Sequence, residues 1–254
     1  MTSPNLTRDQ AQQRANTIDV SGYVIDLDLT DGNGAPGSTT FRSTSTVTFT
    51  ATPGASTFID LVAPKLISAN LNGTDLDISD FDESVGITLS ELAVDNTLTV
   101  VADCAYSNTG EGLHRFVDPS DDSVYLYSQF ETADAKRMFA CFDQPDLKAT
   151  YTITVTAPED WKVISNAAVV NTAAAQPGVH RFRETPLMST YLVALIAGPY
   201  AEWTDSYTDE HGTIPLGIYC RASLAEFMDA DRLFTETKQG FGFYHKNFGT
   251  PYAF

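Results

Sequence analysis

Val124-Tyr-Leu-Tyr-Ser-Gln-Phe-Glu131 alternates with period two and reads as a β-strand. Successive side chains of a strand point to opposite faces. Val124, Leu126, Ser128 and Phe130 therefore share one face, and Tyr125, Tyr127, Gln129 and Glu131 share the other. An amide and a carboxylate stand together at the end of an otherwise aromatic face. That pairing suits an ammonium ion, since the carboxylate supplies charge and the amide oxygen a further acceptor. Spacing alone favours the plainer reading, a solvated pair at a strand end. The stretch continues through Ala135-Lys-Arg137, Cys141-Phe-Asp-Gln-Pro145 and Lys148-Ala-Thr-Tyr151. Ala149, Tyr151, Ile153 and Val155 then alternate with Thr150, Thr152, Thr154 and Thr156, one face buried and one wet, as in an antiparallel sheet.

On the N-terminal side, Thr7-Arg-Asp-Gln10 is a capping box that predicts a helix over 8–16, with Leu6 and Ala11 placed as a hydrophobic staple. Strands are expected at 23–30, 44–50, 56–61, 66–71, 75–78, 87–89 and 97–104, with a hairpin turn at Asn72-Gly73. Gly32-Asn-Gly-Ala-Pro-Gly37 matches G-x-G-x-x-G in letters only. The dinucleotide fingerprint needs a helix directly after it, and here Pro36 and a Thr-rich strand follow, so it reads as a hairpin loop. Residues 108–118 read as a loop around Gly110 and Gly112.

On the C-terminal side, strands are expected at 161–165 and 179–183, with a loop at Ala173–Gly178 between them. The continuous apolar run 190–197 predicts a central strand. After a break at Gly198-Pro199 come strands at 201–207 and 213–220. A helix follows, with Ser223 or Asp229 as its N-cap and Gly249 and Pro251 ending it. Phe227, Phe234, Phe241 and Phe248 recur every seven residues, with Ala230 and Tyr244 beside them, which predicts one buried helix face.

The chain has 254 residues and a net charge of −18, with 15 Lys and Arg against 33 Asp and Glu. Phosphate binding needs clustered cations, so nucleic acid is excluded as a partner. No apolar run reaches membrane-spanning length, and the N-terminus lacks a charged segment followed by an apolar one, so neither a membrane span nor a leader is expected. Cys104, Cys141 and Cys220 are odd in number and widely spaced, a pattern that fits a reducing, cytoplasmic compartment. Cys141 reads as a small buried hydrophobe. His114, His180, His211 and His245 have no partner four residues away and read as isolated.

Taken together, Ser128-Gln-Phe-Glu131, Ala135-Lys-Arg137, Cys141-Phe-Asp-Gln-Pro145, Lys148-Ala-Thr-Tyr151 and Trp161-Lys-Val-Ile-Ser-Asn166 resemble the aminopeptidase N family of zinc metallopeptidases. The resemblance implies a mainly β fold: a large antiparallel, saddle-shaped β domain over 1–198, like that of leukotriene hydrolase. A short α+β piece over 199–254 would open a thermolysin-like catalytic domain. It implies that Glu131 binds the α-amino group of a peptide substrate and that Gln129 lines the first specificity pocket. The Gly-Ala-Met-Glu-Asn and His-Glu-x-x-His motifs of the family do not occur in the chain. The chain is therefore expected to be a fragment with no catalytic residue and no metal ligand of its own. Zinc would belong to the parent enzyme, which releases N-terminal residues from peptides. Its partners would be peptide substrates and the remaining domains of the parent chain. The competing reading is a non-catalytic β-rich interaction module of the same fold.

Overall fold

The computed structural model describes residues 6–170 and 176–252. Part of the loop expected at Ala173–Gly178, residues 173–175, lies outside the described residues. Helix α1, Arg8–Thr17, starts at the capping box: Oγ1 of Thr7 accepts the Gln10 N–H, and Oε1 of Gln10 accepts the Thr7 N–H. The strands follow as β1 Ile18–Asp28, β2 Thr40–Ala51, β3 Thr57–Ile59, β4 Lys65–Leu71, β5 Thr74–Asp75, β6 Ile87–Leu89 and β7 Asp95–Ala105. Next come β8 Gly112–Val117, β9 Val124–Gln129, β10 Thr150–Thr156, β11 Lys162–Ser165, β12 Val179–Arg181 and β13 Leu195–Gly198. The chain closes with β14 Tyr200–Asp209, β15 Gly212–Arg221 and helix α2, Ala230–Phe248.

Seven strands form one sheet in the order β12-β10-β1-β2-β7-β4-β5, and four form a second in the order β11-β13-β9-β8. The fold is mainly β, as expected, and its pairings are antiparallel except that β1 runs parallel to β10. That register sets Tyr23 beside Tyr151, and their rings stack at 5.2 Å. Both rings are buried in the core, with Phe139 edge-on to each. On β2, Phe41, Ser43, Ser45, Val47 and Phe49 point inward and the alternate residues, Arg42, Thr44, Thr46, Thr48 and Thr50, point toward water, so the threonine-rich face is the wet one. The Gly32–Gly37 segment is a hairpin loop bridged from Thr30 to Pro36.

Four sequence expectations are corrected. Residues 112–117 form strand β8 at the edge of the second sheet, not part of a loop. The glycines mark its entry, where Gly112 adopts φ +67° and begins the pairing opposite Gln129, and the buried Leu113 follows. The run 190–197 is not one strand. Thr190–Leu192 is a 3₁₀ turn, drawn inward because the Thr190 hydroxyl donates to Asp143 at 2.8 Å. Only 195–198 pairs, and it lies inside the second sheet. Ser223 caps nothing: Ala222–Phe227 is a 3₁₀ turn, and Asp229 caps α2 by accepting the Arg232 N–H.

The aromatic stripe is the fourth correction. Phe234 and Ala230 are buried, but Phe227 is 74% exposed and Phe248 70% exposed. Phe227 lies in the 3₁₀ turn, so helical spacing does not govern it. Phe248 lies one turn past the end of the β14–β15 hairpin that covers α2. Along β14, Asp205, Tyr207 and Asp209 meet Lys238, Phe241 and His245 of the helix in succession. Beyond that last pair only the turn carrying His211 follows, and its ring lies against His245.

Candidate functional site

Gln129 ends β9, and Glu131 follows after the fully buried Phe130. Both polar residues are exposed. The Glu131 N–H donates to Oε1 of Gln129 at 3.0 Å, which holds the chain in a tight bend as it leaves the sheet. The Glu131–Thr132 peptide bond is cis. Among the described residues the Glu131 carboxylate has no ion-pair or hydrogen-bond partner. The face of β9 that carries them is covered at one end and open at the other. Tyr125 is buried edge-on to Tyr200, and its hydroxyl accepts the Ala222 N–H. Tyr127 is 41% exposed.

The cross-strand register places His114 opposite Tyr127 and Gly112 opposite Gln129. The His114 and Tyr127 rings lie 4.7 Å apart. His114, read as isolated in the sequence, therefore belongs to the same open face. Its Nδ1 accepts the Gly110 N–H. Once 112–117 is seen as a strand, its register on β9 places it there. The stem of Arg137 packs over Gly112, where any Cβ would lie 3.1 Å from it. The Arg137 head pairs with Asp134 at 2.6 Å and reaches Glu111 at 3.6 Å, not Glu131.

The residues 141–145 that follow serve the scaffold. Cys141 and Asp143 are buried. The Asp143 carboxylate accepts from the Lys136 N–H and the Thr190 hydroxyl, while its own N–H donates to Asp60, the partner of Arg14. Burial raises the Asp143 pKa to about 6, against the opposing pull of those two hydrogen bonds. Burial also pushes the Cys141 thiol well up, which suits packing and not nucleophilic chemistry. This web fixes the chain on both sides of the 131–137 bend. At the other end of β8, the Asp118 carboxylate accepts from Ser223 at 2.6 Å and pairs with Arg221 at 2.8 Å, anchoring the hairpin and α2 beside β9. The Ser223 hydrogen bond leads the causes that hold Asp118 below the usual carboxylate range.

Two cavities, of about 510 and 420 Å³, lie elsewhere, and neither Gln129 nor Glu131 lines them. The first is bordered by α1, Phe58 and Asp60, the second by the Gly32–Gly37 loop. The site is thus an open face, and a ligand there needs a further surface to enclose it. One group of possible metal ligands exists among the described residues: Asp209, His211 and His245, whose ligand atoms lie within 4.8 Å of one another. An Asp-x-His at a hairpin tip was visible in the sequence, but its distant third member was not.

Residues 39–192 match the family of the peptidase M1 N-terminal domain. Aminopeptidase N of Streptomyces lividans is 51% identical over 256 residues, covering 100% of this chain and 29% of that protein. Aminopeptidase N of Acetobacter pasteurianus is 31% identical over 162 residues, covering 62% of this chain and 44% of that protein. Aminopeptidase M1 of Arabidopsis thaliana is 35% identical over 102 residues, covering 39% of this chain and 11% of that protein. The chain spans less than a third of the length of the Streptomyces relative.

Proposed function

The chain belongs to the peptidase M1 family through its N-terminal domain, and from that premise we propose that it supplies the substrate-amine site of a zinc-dependent aminopeptidase. Residues 1–198 are the β domain in this reading, and 199–254 open the catalytic domain. The carrying observation is the Glu131 carboxylate, exposed and without a partner among the described residues, on the bend that Gln129 holds. An exopeptidase must distinguish a chain end from a chain interior. A fixed carboxylate does this by pairing with the free α-ammonium, which an internal residue lacks. Gln129, one lone pair already used by the Glu131 N–H, offers its amide N–H and remaining acceptor capacity to the first side-chain pocket. The partners are peptides with a free N-terminus and the domains that complete the enzyme.

The family's catalytic zinc, which a His-Glu-x-x-His motif would hold, does not fit the residues here: no His pair stands four apart, and among the described residues His114 accepts a backbone N–H through Nδ1 and the buried Nε2 of His180 has no partner. The Asp209, His211 and His245 group does not have that spacing either. No step through the metal is assigned to this segment. The three cysteines are free, which suits a reducing compartment, and we place the enzyme in the cytoplasm. No helix among the described residues is long and apolar enough to cross a membrane.

The deciding experiment compares free and N-acetylated substrates in the full-length enzyme. Glu131→Gln should reduce turnover of the free amine selectively and so narrow the preference for it. An unchanged preference would remove Glu131 from the site.

A further inference from the structure

Asp209 and His211 lie 36 and 34 residues before His245 in sequence, yet the hairpin tip and the last turn of α2 bring the three together. Asp209 ends β14, and its Oδ1 accepts the His211 N–H at 2.8 Å, which curls the turn and fixes the His211 backbone. Its Oδ2 faces Nδ1 of His245 at 2.5 Å. His245 is set by the same ladder that packs α2 on β14: Lys238 on Asp205, then Phe241 stacked on Tyr207, then His245 on Asp209. The Tyr207 and Phe241 rings stand edge-on to the His245 ring at 5.9 and 5.8 Å and hold its plane. The His211 ring lies 5.5 Å from it, edge-on as well. Asp209 and His245 are largely covered, with side chains 19% and 9% exposed, and His211 forms the open side at 44%. Beside it stands the exposed Glu210 carboxylate, 3.7 Å from Nε2 of His211.

Two imidazoles and a carboxylate are the donor set of borderline divalent cations such as Zn²⁺, with bonds of about 2.0–2.2 Å and ligand atoms about 3.4 Å apart in a tetrahedron. The three ligand atoms already lie within 4.8 Å, so small side-chain rotations close the site. The geometry points to a divalent transition-metal site formed by Asp209, His211 and His245, completed by Glu210 or water, that clasps the β14–β15 hairpin to α2. This runs against the sequence expectation that the chain holds no metal ligand. The net charge of −18 favours cation capture. The donor set lacks the soft thiolates that select copper(I) and the oxygen-only shell that Mg²⁺ and Ca²⁺ require.

Binding has a structural consequence at Tyr252. Nε2 of His245 accepts the Tyr252 N–H at 3.1 Å, so the ring proton lies on Nδ1, shared with Asp209. When the metal takes the Nδ1 lone pair, that proton moves to Nε2. The imidazole stays neutral, and the Tyr252 N–H loses its acceptor.

The test uses the 254-residue chain stripped of metal and titrated with Zn²⁺ by calorimetry, and with Co²⁺ by its visible absorption. The expected result is saturation at one metal per chain, with tetrahedral-type cobalt bands and no competition from excess Mg²⁺. His211→Ala, on the exposed side, and Asp209→Asn should each raise Kd at least tenfold while leaving the far-ultraviolet circular dichroism unchanged. Hydrogen exchange at the Tyr252 amide should quicken on Zn²⁺ binding. Absence of saturable binding overturns the site, as does binding that both variants leave untouched. Binding with an unaltered Tyr252 amide overturns the Nδ1 assignment on which the site is built.

Discussion

The Glu131 N–H donates to Oε1 of Gln129 at 3.0 Å, so the side chain of one proposed recognition residue fixes the backbone of the other. Glu131 then presents a carboxylate with no partner among the described residues. In the full-length enzyme, Glu131→Gln should lower kcat/KM on an amino-acid anilide by at least about tenfold, or ~1.4 kcal/mol of transition-state stabilisation. Gln129→Ala should lower it less, through a loosened bend, and should also shift the order of preference among N-terminal residues. Steady-state kinetics on a panel of anilides checks both. Wild-type values for Glu131→Gln would sink the assignment.

Asp143 predicts a particular pH dependence of stability. Its pKa is raised by burial from 3.8 to about 6 in the fold, so the folded state binds the proton more tightly than the unfolded chain does. Stability therefore falls as pH rises from about 4 to 6, then levels off. A shift of this size corresponds to roughly 1–3 kcal/mol. Asp143→Asn cannot ionise and should flatten that window. The carboxylates held low, Asp118 among them, act in the opposite direction and only below their ordinary range near 3.8. Urea melts of both proteins at pH 4, 5, 6 and 7 separate the two effects. Parallel curves for wild type and variant between pH 4 and 6 would contradict the account.

The strands were legible because period two survives in any half-buried sheet. Tyr23, Ile25 and Leu27 against Val24, Asp26 and Asp28 need no tertiary knowledge. The capping box at Thr7 was legible for the same local reason. What failed was non-local. Thr190 leaves the strand pattern because of Asp143, 47 residues earlier, and Ser223 abandons capping for Asp118, 105 residues earlier. The parallel partner of β1 lies across more than a hundred residues. The same limit applies to the site. Gln129 and Glu131 stood out in one strand, whereas His114 joined their face only through the register of β8 on β9.

Gly112 tests how tightly the open face is built. It has φ +67°, and a Cβ there would sit 3.1 Å from Cβ and Cδ of Arg137. Gly112→Ala incurs the left-handed backbone cost and must also push Arg137 aside, so a loss of about 1–3 kcal/mol is expected. Because Gly112 pairs with Gln129, the same change should reduce activity in the full-length enzyme. Gly110→Ala also has positive φ but meets no neighbouring atom, so it should cost less. Denaturation midpoints of the two variants give the comparison, and equal losses would show that contact with Arg137 contributes nothing.

The aromatic residues of the C-terminal helix divide by environment and not by spacing. Phe234 is 7% exposed, and its removal leaves a cavity, so Phe234→Ala should cost roughly 3–5 kcal/mol. Phe248, fourteen residues on at the same heptad phase, is 70% exposed beyond the end of the hairpin. It buries little area, so Phe248→Ala in this chain should change stability by less than about 0.5 kcal/mol. Phe243, Tyr244 and Phe248 leave an exposed apolar surface at the end of α2, and Phe227 exposes another before its start. Surfaces of that kind bind hydrophobic dyes and promote association. Replacing Phe227 and Phe248 together by Ser should therefore lower dye fluorescence while leaving the melting temperature nearly unchanged. Should Phe248→Ala destabilise the chain as much as Phe234→Ala, the helix would have to bury its whole heptad stripe, and the hairpin ladder of Asp205, Tyr207 and Asp209 would not be what limits its packing.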